Sequence, residues 1–209
     1  VAPAHVVILP VIHDDSTRNK VTTYCKELSK ELHSLTYNGY PLEVELDDRD
    51  LRGGEMVWAW IKKGVPIRLE IGPRDIETNS VSFARRDQPA RKHISINRNE
   101  LIQFIPEQLD DIQRNLFARA QSFQEQYTRH IDSKEEFYEF FTPQNAKKPE
   151  IHGGFALCHW SGEPEVEETI KNDLNVTIRC IPLDSQEEHG KCIITNKDSS
   201  RRVLFAKAY

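Results

Sequence analysis

Long hydrophobic runs, a surplus of positive charge and clustered cysteines are all missing from this sequence. No apolar stretch approaches the ~18–20 residues needed to cross a bilayer, so no membrane partner is expected. The 209 residues carry 28 Lys and Arg against 33 Asp and Glu, a net charge of −5. Binding to nucleic acid by overall charge is thereby excluded, although a local basic patch remains compatible with it. The four cysteines (Cys25, Cys158, Cys180 and Cys192) are too few and too scattered for a secreted disulfide framework. They point to a reducing cytoplasm. The opening Val1-Ala2-Pro3-Ala4 has neither an initiator Met nor a signal-like segment, so the chain reads as a piece of something longer.

What is present is ordinary globular material, 38% hydrophobic and 29% charged. The run HVVILPVI over His5–Ile12 predicts a buried strand of the parallel type. Ser16-Thr17 is expected to cap a helix to about Leu35, with Val21, Cys25, Leu28 and Leu32 on one face and Asn38-Gly39 ending it. Strands follow at Pro41–Leu46 and Pro66–Ile71, separated by a helix over Glu55–Lys63. Gly72 to Asp75 reads as a turn, and Val81–Arg86 and His93–Ile96 as two more strands. A long helix near Pro106 reaches about His130.

The composition shifts near Thr128–Lys134, where the boundary is expected. The remainder predicts helices at Lys134–Phe141 and Glu165–Asp173. It also predicts strands near Phe155–His159, Thr177–Leu183, Lys191–Thr195 and Arg202–Ala206. The expected fold is α/β over residues 1–131, a mixed five-stranded sheet with flanking helices. A small α+β domain follows over residues 132–209.

No catalytic constellation emerges. Gly153-Gly154 is not a phosphate loop, no Ser/His/Asp set has elbow spacing, and paired His of the zinc-hydrolase type are absent. His13-Asp14-Asp15 reads as a solvated loop rather than a cation site.

The segment GVPIRLEIGPRD over Gly64–Asp75 resembles the central signature of the anticodon-binding domain in prolyl-tRNA synthetases of the archaeal and eukaryotic type. Asp47-Asp48-Arg49-Asp50 is similar to that family's DDRD loop, and the strand ending Arg85-Arg86-Asp87 also fits. Arg179-Cys180-Ile181-Pro182 and the terminal VLFAKAY resemble its extra C-terminal domain. The resemblance covers essentially the whole chain. The anticodon fold is shared with threonyl, histidyl and glycyl synthetases, but the FAKAY ending argues against them.

The resemblance implies a class II anticodon-binding fold and proline tRNA as partner. It also implies a catalytic domain, absent from these residues, that uses ATP and Mg, in an enzyme that is a homodimer. These residues would themselves be non-catalytic and need no cofactor. Arg68 and Glu70 alternate onto one face of the strand, opposite Val65, Ile67, Leu69 and Ile71. With Asp48, Arg49, Arg74 and Asp75 they form a candidate site for anticodon bases. A carboxylate accepts the N–H donors of guanine, and a guanidinium donates to its O6 and N7. Two readings stand for Arg68 and Glu70, base contacts or a surface ion pair. For Arg74 and Asp75 the second reading is a structural turn pair. Trp60 is expected in the core, whereas Trp58 is a candidate for stacking. Arg85-Arg86 reads as a phosphate contact or a solvated face.

A cationic position in the family's loop is Met56 here, which keeps open an interaction module that no longer reads RNA. Tyr209 is expected to dock on the missing catalytic domain. Many relatives hold zinc with four cysteines. Here Cys158 and Cys192 match the first of each pair. Val166 or Glu163 stands for one partner and Ile194 or Thr195 for the other, so no metal is expected; Cys180 is expected to be buried.

Overall fold

The computed structural model describes residues 2–12, 14–49, 51, 53–145, 153–183 and 185–208. They form two compact units, Val1–Ala118 and Arg119–Tyr209. The division falls inside the long helix.

In the first unit the chain order is β1 (Val6–Pro10), α1 (Asp15–His33), β2 (Thr36–Tyr37), β3 (Tyr40–Pro41), β4 (Val44–Leu46), α2 (Gly53–Lys63) and β5 (Ile67–Ile71). It continues with α3 (Pro73–Glu77), β6 (Ser80–Arg85), β7 (His93–Asn97) and α4 (Arg98–Tyr127). The five-stranded sheet has the order β4-β1-β5-β6-β7. β4 and β5 run parallel to β1, and β6 and β7 are antiparallel additions. The mixed sheet with flanking helices is as the sequence leads one to expect.

All five residues of β1 are buried, which is why the run has no polar alternation. One face of the sheet packs Val6, Ile8, Ile67, Leu69 and Phe83 against Val21, Cys25, Leu28 and Leu32 of α1 and Leu101, Ile105, Leu109 and Ile112 of α4. On the opposite face Val7 and Leu9 meet Met56 and Trp60 of α2.

Several boundaries differ for local reasons. Asp14, not Ser16-Thr17, caps α1, its carboxylate accepting from the Ser16 N–H at 2.9 Å. Helix α1 stops at Ser34, and Asn38-Gly39 instead turns the β2–β3 hairpin with positive φ at both residues. That hairpin takes Pro41 out of the sheet, so β4 shortens to Val44–Leu46. The segment after β5 is a short helix because Asp75 accepts from the Gly72 N–H at 2.8 Å and Pro73 suits its first position. Helix α4 begins before Pro106, where Asn97 accepts from the Asn99 N–H at 2.9 Å, and Pro106 lies inside it.

The second unit begins with the end of α4. It continues through β8 (Thr128–His130), α5 (Lys134–Phe141), β9 (Phe155–His159), α6 (Pro164–Leu174), β10 (Val176–Cys180), β11 (Gly190–Lys191), β12 (Asp198–Ser199) and β13 (Arg202–Lys207). Its four-stranded sheet has the order β10-β13-β9-β8. Phe137, Phe141 and Phe205 meet edge to face at its centre. The expected strand at Lys191–Thr195 is only Gly190–Lys191, because Asn196 in the left-handed region turns the chain back to β12. Cys180 is exposed, not buried: it sits past a register shift on the edge strand β10.

Gly190 lies against the buried His159 ring, and a Cβ there would come within 2.2 Å of Nε2. Gly190→Ala is therefore expected to lower the stability of this unit by about 1–3 kcal/mol, read as an earlier midpoint in urea unfolding. An unchanged midpoint would show that the contact yields without cost.

Candidate anticodon-binding cleft

Strand β1 feeds α1 on one face of the sheet, and β4 feeds α2 on the other. Between them, at the carboxyl ends of the parallel strands, the sheet opens into a cleft of about 550 Å³. This is where open α/β sheets place ligands. Of the expected residues, Asp48, Arg49, Trp58 and Glu70 line it. Arg18, Arg91 and His93 line it too, and sequence reasoning missed them. For Arg91 and His93 the only signal is that His93 faces the Glu70 side of the sheet, through the β6 pairing, which a sequence does not display.

Glu70 lies opposite Leu9 of β1 and Ser82 of β6. Its Oε1 is buried and accepts no hydrogen bond, and among the described residues the nearest cation-capable group is His93 Nδ1 at 3.7 Å. A carboxylate oxygen withdrawn from water without a donor is costly unless a ligand supplies one. Trp58 is 59% exposed at the rim, whereas Trp60 is buried.

Asp47 is 4% exposed. It accepts from Arg49 Nε at 2.7 Å and Nη2 at 2.6 Å, and from the Trp60 indole N–H at 2.6 Å. The Arg49 bonds hold its carboxyl well below the usual range, at about 2, despite the opposing cost of burial. Half of the Arg49 side chain remains exposed.

Arg68 does not reach the cleft surface. It is 2% exposed, its Nη2 donates to the Ala90 carbonyl at 3.2 Å, and its Nε has no partner. Burial draws its pKa down against the attraction of Glu70. The loop between β6 and β7 covers it, so neither expected reading of Arg68, base contact or exposed ion pair, matches its setting. Asp75 is spent on the Gly72 cap, and Arg74 stands outside the cleft lining. Arg85 is bound to Asp87 at 2.7 Å, to Asp111 at 2.7 Å and to Gln108 at 2.6 Å. Arg86 donates to the Gly64 carbonyl at 3.1 Å. Met56 packs with Val7, Leu9 and Trp60, so apolar contact accounts for it. His13, Asp50 and Tyr209 lie outside the described residues.

In the second unit the cysteines stand in different settings. Cys158 points into the core, and burial pushes its thiol up to about 12. Burial opposes ionisation of Cys192 as well, but hydrogen bonds from Thr195 and nearby backbone N–H groups outweigh it and bring the thiol to about 7. Val166, one of the residues that stand where a family cysteine is missing, is a core residue. Among the described residues, no group of three or more His, Cys, Asp or Glu could hold a metal. None of the described helices is long and apolar enough to cross a membrane.

Comparison with known proteins finds similar domains in both parts of the chain. A family model described as an anticodon binding domain matches residues 5–108, and one described as prolyl-tRNA synthetase, C-terminal, matches residues 146–209. The chain is 48% identical over 212 residues to proline--tRNA ligase 2 of Anaeromyxobacter dehalogenans (strain 2CP-C), covering all of this chain and 41% of that protein. It is 44% identical to the proline--tRNA ligase of Protochlamydia amoebophila (strain UWE25), again covering all of this chain and 41% of the relative. For Rhodopirellula baltica the identity is 43%, with all of this chain and 40% of the relative covered. The chain thus spans about two-fifths of the length of these relatives. They are bacterial, so they do not bear out the archaeal and eukaryotic subtype.

Asp47 and Asp87 both sit near pKa 2, each held down chiefly by an arginine. Folded pKa values below the unfolded value of about 3.9 stabilise the fold at neutral pH and cease to do so as pH falls through the folded values. The thermal midpoint is therefore expected to fall between about pH 4 and pH 2. Asp47→Asn with Asp87→Asn should flatten that slope in a melting series; an equally steep slope would assign it to other carboxylates.

Proposed function

This chain belongs to the prolyl-tRNA synthetase family, and on that premise we propose that its first unit reads the anticodon of a proline tRNA in the cleft beside β5. The whole protein would join proline to that tRNA at the expense of ATP. Within it, this chain supplies RNA recognition and none of the reaction chemistry.

The observation that carries this reading is the Glu70 oxygen without a donor, set in a cleft with an exposed tryptophan at its rim. Single-stranded RNA loops are recognised by hydrogen bonds to splayed bases and by stacking on aromatic rings. Guanine offers N1–H and N2–H side by side, which a carboxylate accepts in pairs, whereas adenine offers no such pair on that edge. Trp58 provides a stacking face for any base. Arg49 donates to a base edge or a phosphate, and Arg18 and Arg91 lie where the RNA backbone would pass. Arg68 acts from beneath by holding the Ala90 loop. The burial of Met56 in an apolar cluster weakens the case for a module that has lost RNA binding.

The test is binding of the protein to a proline tRNA whose anticodon carries two guanines, and to a transcript with both changed to adenine. Measurements at about 50 and 200 mM salt separate backbone attraction from base reading. Glu70→Gln is expected to cost about 1–3 kcal/mol of guanine preference, roughly 5- to 150-fold. Trp58→Ala should weaken both transcripts alike, by about 1–3 kcal/mol for a lost stack. A guanine preference that survives Glu70→Gln would overturn the role given to that carboxylate.

A further inference from the structure

Asp47 follows β4 at the carboxyl edge of the sheet, where its N–H donates to the Ile8 carbonyl at 3.0 Å. Its buried carboxylate gathers donors from two separate elements. Arg49 brings a fork, Nε to Oδ1 at 2.7 Å and Nη2 to Oδ2 at 2.6 Å, with its backbone N–H adding a longer contact at 3.3 Å. Trp60 of α2 brings the indole N–H to Oδ2 at 2.6 Å. Two parallel bonds fix the plane of a guanidinium as well as its position. The remaining N–H groups of Arg49 have no protein partner among the described residues, and half of the side chain faces solvent. Trp60 lies two residues from Trp58, whose exposed ring stands on the same helix. One carboxylate therefore ties the loop that bears Arg49 to the helix that bears Trp58.

A solvated arginine loses rotamer freedom when it engages RNA, and that loss is subtracted from affinity. An arginine already held in one orientation has given up the freedom on folding. We propose that Asp47 is a positioning residue of the cleft: it pre-orients Arg49, and through Trp60 the Trp58 helix, for an RNA base without touching RNA itself. The proposal rests on the anticodon reading of the cleft. It predicts that the geometry of the Asp47–Arg49 fork matters to binding, beyond the charge of Arg49.

The experiment measures Kd of the 209-residue protein for the guanine and adenine transcripts with wild type, Asp47→Asn, Arg49→Lys, Arg49→Gln and the Asp47→Asn/Arg49→Gln pair. Folding of each is checked by its melting curve. Asp47→Asn keeps one oxygen for the Trp60 N–H but cannot accept the Arg49 fork, so it is expected to weaken guanine-transcript binding about tenfold and to add little once Arg49 is Gln. Arg49→Lys keeps the charge at an exposed position but cannot make the fork, so it should lose about as much as Asp47→Asn. This variant carries the test even if Asp47→Asn unfolds. Should Arg49→Lys bind like wild type, or should the Asp47 and Arg49 effects simply add, the positioning role is overturned while the anticodon reading stands. A wild-type protein with no guanine preference overturns the reading of the cleft and this proposal with it.

Discussion

Strand β1 is sealed on both faces, and the first unit is organised by the need to cover them. Val6 and Ile8 face α1, while Val7 and Leu9 face α2. A parallel strand with two apolar faces cannot be left at an edge or against water. The chain must therefore send its first crossover over one face and its second over the other. Those opposite departures leave a gap at the carboxyl ends of the strands, and the cleft is that gap. Its position is a consequence of covering β1, not of any residue that lines it.

In and around the first unit's sheet the groups singled out divide into those already satisfied and those without a partner. Asp47 and Asp75 are committed to the fold, one to Arg49 and Trp60, the other to the backbone of Gly72. Arg85 is likewise committed to Asp87 and α4 residues. Glu70 is different, for its buried oxygen has no donor, and so is Trp58, whose ring stays in solvent. Under the anticodon reading proposed above, donors and acceptors fixed by the fold leave little to reorganise when a guanine edge binds. A net negative chain is no obstacle to that reading, because the cations that line the cleft, Arg18, Arg49 and Arg91, act locally.

The second unit reaches stability by another route. Phe137, Phe141 and Phe205 interlock beneath a four-stranded sheet, with Cys158 as an apolar filler among them. Arg202 binds Glu188 at 2.9 Å and Asp132 at 2.7 Å, pinning the segment before β11 to β13. Lys197 pairs with Glu163 and joins the β11–β12 turn to the start of α6.

Much of this was legible in the sequence because it depends on short-range periodicity. The apolar run of β1, the alternation in β5 that sets Arg68 and Glu70 on one face, and the helical spacing of Val21, Cys25, Leu28 and Leu32 each state their own burial. Trp60 inside and Trp58 outside follow from the face of α2 that meets β1. The sequence could not reveal that Arg68 lies beneath a loop while Glu70, two residues on, opens into a cleft. Alternation assigns a face but not what covers it, and the cover comes from the β6–β7 loop, more than twenty residues away. Nor could it separate Asp47 from Asp48, adjacent and identical in type. Both line the cleft, but only the tertiary structure brings the Arg49 and Trp60 donors onto Asp47, because those donors come from different elements. Local pattern determined which residues could be buried or exposed; the meeting of distant elements decided which charges are spent on the fold and which remain for a ligand.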